Sequence, residues 1–223
     1  MAPNIIGITG KAGHGKDLLY QRVLAPRGYV RVALADPLKA LLFAGVYDPE
    51  QLLALGNLYY MIFGEEKPPA IREALQKLGT DKIRTTVDPG IWAYFGLQQV
   101  WRLASQGRKV AVTDVRFENE ARALLGDIDW LKDQYAQMAE SGGIFSPHIR
   151  EGLTSTWSEG GLIPPPGEAV LVRVSRPAMP EPDDEHVSEL GGFTVSRWIE
   201  AATPDELSAQ AETWLGSLEA VRS

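Results

Sequence analysis

The sequence predicts an α/β fold built on a five-stranded parallel sheet with helices on both faces. Three observations carry that expectation. Short β-branched runs alternate with longer segments of helical periodicity, the first run ends in a cluster of glycines that opens a helix, and charged residues stand where later runs end. Parallel strands need a crossover between them, so alternation of this kind argues for a parallel sheet covered on both sides.

At 223 residues the chain is long enough for one such domain with a substantial core, and two independent domains are not expected. The formal charge of -7 comes from 22 basic and 29 acidic residues with no long basic run, which argues against a nucleic-acid-binding surface. A small anionic substrate held by local arginines remains compatible with it. The absence of cysteine excludes disulfides, thiolate metal sites and cysteine nucleophiles. Apolar stretches of strand length and an N-terminus without signal-peptide features point to a cytoplasmic protein with no membrane partner.

The first strand is read in Ile5, Ile6, Ile8 and Thr9. Gly10-Lys11-Ala12-Gly13-His14-Gly15-Lys16 follows, with the two glycines at the ends of the pattern separated by four residues and the lysine directly after. This is the P-loop spacing, in which glycines admit a tight loop, successive N–H groups and a helix N-terminus surround a phosphate, and the lysine reaches its outer oxygens. Gly10 through Asp17 are therefore assigned to ATP or GTP. Asp17 departs from the general pattern, which has Ser or Thr there to meet magnesium. The helix is expected to continue from Leu18 to Leu24, with a turn at Arg27-Gly28.

Tyr29 to Leu34 reads as the second strand, and Asp36 as a cap for a helix beginning at Pro37, a role that does not preclude substrate binding. Pro49 to Phe63 reads as helix and Gly64 to Pro69 as a connector. Ile71, Ala74, Leu75 and Leu78 predict a helix that stops at Gly79, and Ile91 to Ala104 predicts another. Its aromatics belong mostly to the core, with Trp92 set apart as a substrate-binding candidate. Lys109 to Thr113 is the third strand, and it runs into Asp114 and Arg116. The C-terminal edge of a parallel sheet is where ligands bind, which favours these two residues over a plain cap and surface ion pair.

Helix is expected again from Ala121 to Leu125 and from Ile128 to Ala139, followed by an irregular glycine- and proline-rich stretch through Glu168. His148 and Arg150 within it read as solvated. Ala169 to Val174 is the fourth strand and delivers Arg173 and Arg176. Phe193 to Ile199 is the fifth. Thr203-Pro204-Asp205-Glu206 is a capping box opening the last helix.

Taken together these features read as the P-loop NTPase fold, and several dispersed motifs resemble the bacteriophage deoxynucleoside monophosphate kinases. They are the loop ending Gly15-Lys16-Asp17, Ala35 to Lys39, Leu75 to Thr80 with Arg84, Thr113 to Phe117 with Asn119-Glu120, and Arg176-Pro177 with His186, Ser188 and Glu189. The resemblance covers most of the first 125 residues and resumes near Val170, so that about 127–167 is an insertion in a single domain spanning 1–223. It implies transfer of the γ-phosphoryl group of ATP to a deoxynucleoside 5′-monophosphate, with Mg2+ as cofactor. By position it places Gly13, Gly15 and Lys16 on the ATP phosphates and Asp17 at the magnesium. Asp36, Lys39, Arg84, Asp114 and Arg116 lie around the monophosphate, and Arg176 reaches the transferring phosphoryl from a lid near 176–190. It also implies a setting in the cytoplasm, of an infected host cell if the gene is carried by a phage. A homodimer is left open. A P-loop kinase of another small acceptor, such as dephospho-coenzyme A, is the alternative within the enzyme class, and a nucleotide-binding switch or motor subunit is the alternative outside it.

Overall fold

The computed structural model describes residues 4–45, 68–79, 91–127, 129, 133, 169–177 and 193–221. Strand β1 (Ile5–Thr9) leads through the glycine loop to helix α1 (Lys16–Leu19), then β2 (Tyr29–Val32), α2 (Asp36–Gly45), α3 (Pro69–Gln76) and α4 (Ile91–Ala104). Strand β3 (Lys109–Val112), α5 (Glu118–Leu124), β4 (Ala169–Ser175), β5 (Arg197–Glu200) and α6 (Pro204–Val221) complete the order. All neighbouring strands pair in parallel, in the order β2-β3-β1-β4-β5. The α/β class and the five-stranded parallel sheet are therefore as the sequence predicts.

Both faces of the sheet are buried, which is why β1 is apolar at successive positions rather than alternate ones. Ile5 joins one core layer with Val110, Val112 and Leu171, packed against Leu97, Val100 and Trp101 of α4 and Ala121 and Leu124 of α5. Ile6 and Ile8 join the other, with Leu19, Val172, Val174 and Ile199 beneath Leu207, Ala211 and Leu215 of α6. Helices thus cover both faces. Arg22 pairs with Asp205 at 2.8 Å and Arg27 with Glu212, tying the segment after α1 to α6 across that second layer.

Four local expectations are corrected. The helix opened at Lys16 becomes a π turn over Tyr20–Leu24 and a 3-10 turn over Ala25–Arg27. Pro26 lacks the N–H that would reach the Arg22 carbonyl, so a regular α turn cannot continue there, and Gly28 at φ 81 ends it. Strand β2 stops at Val32 rather than Leu34, because the N–H groups of Leu34 and Ala35 turn to the Asp114 carboxylate. Asp36 is already the first residue of α2, with the Lys39 N–H bonded to the Ala35 carbonyl, so its side chain does not cap the helix and turns to the Lys39 ammonium. The fifth strand begins at Arg197 rather than Phe193: the Leu171 N–H donates to the Ser196 hydroxyl, where a regular ladder would use a backbone acceptor, while Phe193 and Val195 pack on the core.

The segments read from Pro49 to Phe63, at Gly64 to Lys67, from 141 to 168, and near 178–190 lie outside the described residues. So do Arg84, His186 and Glu189.

Candidate functional site

The carboxyl ends of the parallel strands share one edge of the sheet, and the glycine loop leaves the central strand there. Residues Gly10, Gly13 and Gly15 have φ of 144, 77 and 101, all on the side that L side chains avoid. Two of these positions also lack room for a side chain. A Cβ on Gly10 would collide with the Val174 carbonyl oxygen, and one on Gly15 would lie 3.0 Å from Leu207 Cδ1. Gly15 is the left-handed residue from which α1 starts. The loop is therefore a backbone shape that the glycine spacing specifies, and its packing against β4 and α6 holds it in place.

Lys16 is 9% exposed, and its ammonium donates to the carbonyl oxygens of Gly10 at 2.5 Å and Lys11 at 2.7 Å. The side chain thus folds back over the loop that precedes it, leaving a cation at the loop's mouth. His14 is equally buried and accepts the backbone N–H of Arg176 on Nδ1 at 3.1 Å. Lys11 and Ala12 are half-buried members of the same loop. Asp17 is exposed in the first turn of α1, and among the described residues its carboxylate has no hydrogen-bond or ion-pair partner.

The outgoing connection of β1 heads toward β2, while that of β4 heads toward β5. Adjacent strands with diverging connections open a crevice at their carboxyl ends, the usual ligand position in such sheets. The loop and Arg176 meet in that crevice. Among the described residues the Nε of Arg176 is buried without a hydrogen-bond partner, an arrangement that an incoming anion would complete. Arg173, although only three residues earlier, is directed elsewhere: its guanidinium lies 5.8 Å from the Phe193 ring centre and 5.2 Å from that of Trp198. Burial lowers its pKa.

At the exit of β3, the Val115 N–H donates to the Ile8 carbonyl at 3.1 Å, fastening this turn beside β1. Asp114 receives the N–H groups of Leu34 at 2.7 Å and Ala35 at 3.0 Å, so it holds the β2–α2 turn in place. Arg116 is half-buried, and its backbone is held by Glu120, a residue 2% exposed whose Oε2 accepts the N–H groups of Arg116 at 2.8 Å and Phe117 at 3.1 Å. At the exit of β2, Asp36 binds Lys39 at 2.6 Å and stands 3.9 Å from Arg31. Asp36 thus stands between two cations, with the Asp114 carboxylate bound to the turn that precedes it.

The structure thus gathers Gly10 to Asp17 with Arg176, and fastens the turns bearing Asp114, Arg116, Asp36 and Lys39 to the same edge. Trp92 supplies helical backbone at the start of α4, and its side chain is not among those described. Comparison with protein-family models finds no match, and comparison with curated proteins finds none. Sequence reasoning missed Arg31 as a residue, the anchoring of the Arg116 and Phe117 N–H groups by Glu120, and the bond from the Arg176 N–H to His14. Glu120, at the N3 position, makes only the half of a capping box in which it accepts the Phe117 N–H, because Phe117 offers no side-chain acceptor in return, and the pattern is therefore hard to read from sequence.

Among the described residues no three His, Asp or Glu side chains gather as a metal cage. Magnesium does not require one, since it is commonly bound through one or two carboxylates with waters and substrate phosphates. The Asp17 carboxylate beside the loop, unpaired among the described residues, fits that mode of binding.

Proposed function

We propose that this protein has the P-loop NTPase fold and transfers the γ-phosphoryl group of ATP to a deoxynucleoside 5′-monophosphate. The observation that carries the nucleotide part of this reading is the loop itself. Three positive-φ glycines lead from the central strand into α1, with the Lys16 ammonium folded across the carbonyls of Gly10 and Lys11. Its chemistry is that of a phosphate cradle. The identity of the acceptor is supported by the dispersed motifs resembling the phage kinases, Ala35 to Lys39 and Thr113 to Glu120 among them.

Phosphoryl transfer requires positioned cations and exclusion of water more than covalent chemistry. In this reading the loop N–H groups and Lys16 bind the ATP phosphates, and Arg176 donates to the transferring group as charge develops on its oxygens. Arg116 orients the acceptor phosphate through its planar fork, while Lys39, buried against Asp36, brings positive charge near the acceptor. Arg84 and Trp92 complete the acceptor site. Asp17 would hold magnesium, which supplies charge neutralisation to the phosphates when bound. A lid near 176–190 and an insertion at about 127–167 belong to the same proposal.

The test is to incubate the purified chain with magnesium-ATP and each deoxynucleoside and ribonucleoside monophosphate in turn, and to look for the diphosphate. Diphosphate formed from one or more deoxynucleotides is the expected result. Tight ATP binding with no monophosphate phosphorylated would move the acceptor to another class, and no nucleotide binding at all would overturn the reading.

A further inference from the structure

We propose that His14 is a positioning residue that couples the conformation of the phosphate loop to the placement of Arg176. The coupling stands on geometry alone, whereas its effect on nucleotide binding rests on the function proposed above.

Arg176 is the first residue beyond β4, and its backbone N–H has left the sheet ladder, whose pairing with β5 ends at Ser175 and Glu200. His14 Nδ1 accepts that N–H at 3.1 Å. The imidazole is held in turn by the loop, since the His14 N–H donates to the Lys11 carbonyl at 3.3 Å and the residue is 9% exposed. Two loop glycines on either side of His14 also lie close to the same strand exit. Gly10 approaches the Val174 carbonyl too closely to admit a Cβ, and the Cβ position of Gly15 lies 3.8 Å from Arg176 Cδ. The loop therefore runs beside the β4 exit at its beginning, at His14 and at its end, and among the described residues the His14 contact is the directional bond to the arginine's own backbone. The guanidinium it helps to place has a buried Nε with no partner among the described residues. A small shift of the β4 exit would move that donor relative to the loop, and positioning errors of this size weaken a charge-assisted bond steeply.

An Nδ1 that accepts a hydrogen bond requires a neutral ring carrying its proton on Nε2. Asparagine at this position places Oδ1 where Nδ1 stands, so His14→Asn preserves the acceptor. Leucine preserves bulk without one, and since both substitutions also remove Nε2, the Asn and Leu variants differ in the acceptor at the Nδ1 position.

The experiment uses the full chain labelled with 15N. The ring nitrogens of His14 should report the Nε2–H tautomer in the wild type. The Arg176 amide should exchange slowly in wild type and His14→Asn, and at least tenfold faster in His14→Leu. Magnesium-ATP titrated by calorimetry should bind several-fold more weakly to His14→Leu, near wild type to His14→Asn, and no differently when His14→Leu is added to Arg176→Ala. An Nδ1–H tautomer, unchanged exchange in His14→Leu, or equal behaviour of the Asn and Leu variants would overturn the coupling. Additive losses in the double variant would overturn the route through Arg176. If the wild type binds no magnesium-ATP while the tautomer and exchange results hold, the nucleotide reading fails and the structural coupling stands.

Discussion

Lys16 and Asp17 are neighbours in the chain and opposites in their surroundings. Lys16 is buried and committed to two loop carbonyls, whereas Asp17 is exposed and unpaired among the described residues. Replacing Lys16 by Ala should therefore act on both loop and ligand. Loss of a transition-state contact worth about 3 kcal/mol corresponds to a rate drop on the order of a hundredfold, and near wild-type turnover would remove the loop from the mechanism. Asp17→Asn should leave thermal stability almost unmoved, since it breaks no bond among the described residues, and should raise the magnesium concentration needed for half-maximal rate several-fold. A superimposable magnesium titration would instead assign Asp17 to the helix dipole, a contribution of roughly 0.3 to 1 kcal/mol. Arg116→Lys should fail to restore function, because an ammonium cannot reproduce a bidentate fork, and should raise the Michaelis constant for the monophosphate more than that for ATP. Equal effects on both substrates would displace Arg116 from the acceptor. The loop was legible in the sequence because glycine spacing encodes backbone shape directly. The bond from Arg176 to His14 was not, since it joins positions 162 apart and no local pattern records such a meeting.

The turns between elements depend on side chains that read as ligand-binding. Asp114 is the clearest case: with both oxygens engaged by the β2–α2 turn, it orders the turn that leads to Asp36 and Lys39. Asp114→Ala should lower unfolding free energy by about 1–3 kcal/mol in urea titrations, the range for leaving donors unpaired, and Asp114→Asn by less because one carbonyl acceptor remains. Equal stability of all three proteins would mean that the turn holds itself. Helix α4 was predicted to its terminal residues, since a long amphipathic segment carries many concordant signals. Strand ends were less legible. Strand β2 is shortened by a carboxylate eighty residues away, and β5 is shortened by a serine hydroxyl that takes a ladder position. Period and propensity are local, whereas the acceptors that terminate these strands come from elsewhere in the chain.

Across the whole molecule, two core layers meet at one central strand. Ile5 turns to the layer beneath α4 and α5, and Ile6 and Ile8 to the layer beneath α1 and α6, so β1 contributes to the whole interior at once. Its hydrogen-bond partners are remote: Ile5 is aligned with Val110 on one side and Ala169 on the other. This arrangement has a consequence for how the protein is made. During translation β1 emerges well before β3 and β4, so neither neighbour exists until far later, and its second edge stays open until β4 has emerged. Contacts of such long range are slow to form because chain closure precedes any gain from pairing. Pulse-labelled hydrogen exchange during refolding should find Ile6 and Ile8 gaining protection together with Val172, and not ahead of it. Until β4 emerges the nascent chain thus carries a mostly apolar strand with an open, adhesive edge of the kind that chaperones shield, and the glycine loop meets its β4 contacts only once that strand has been made.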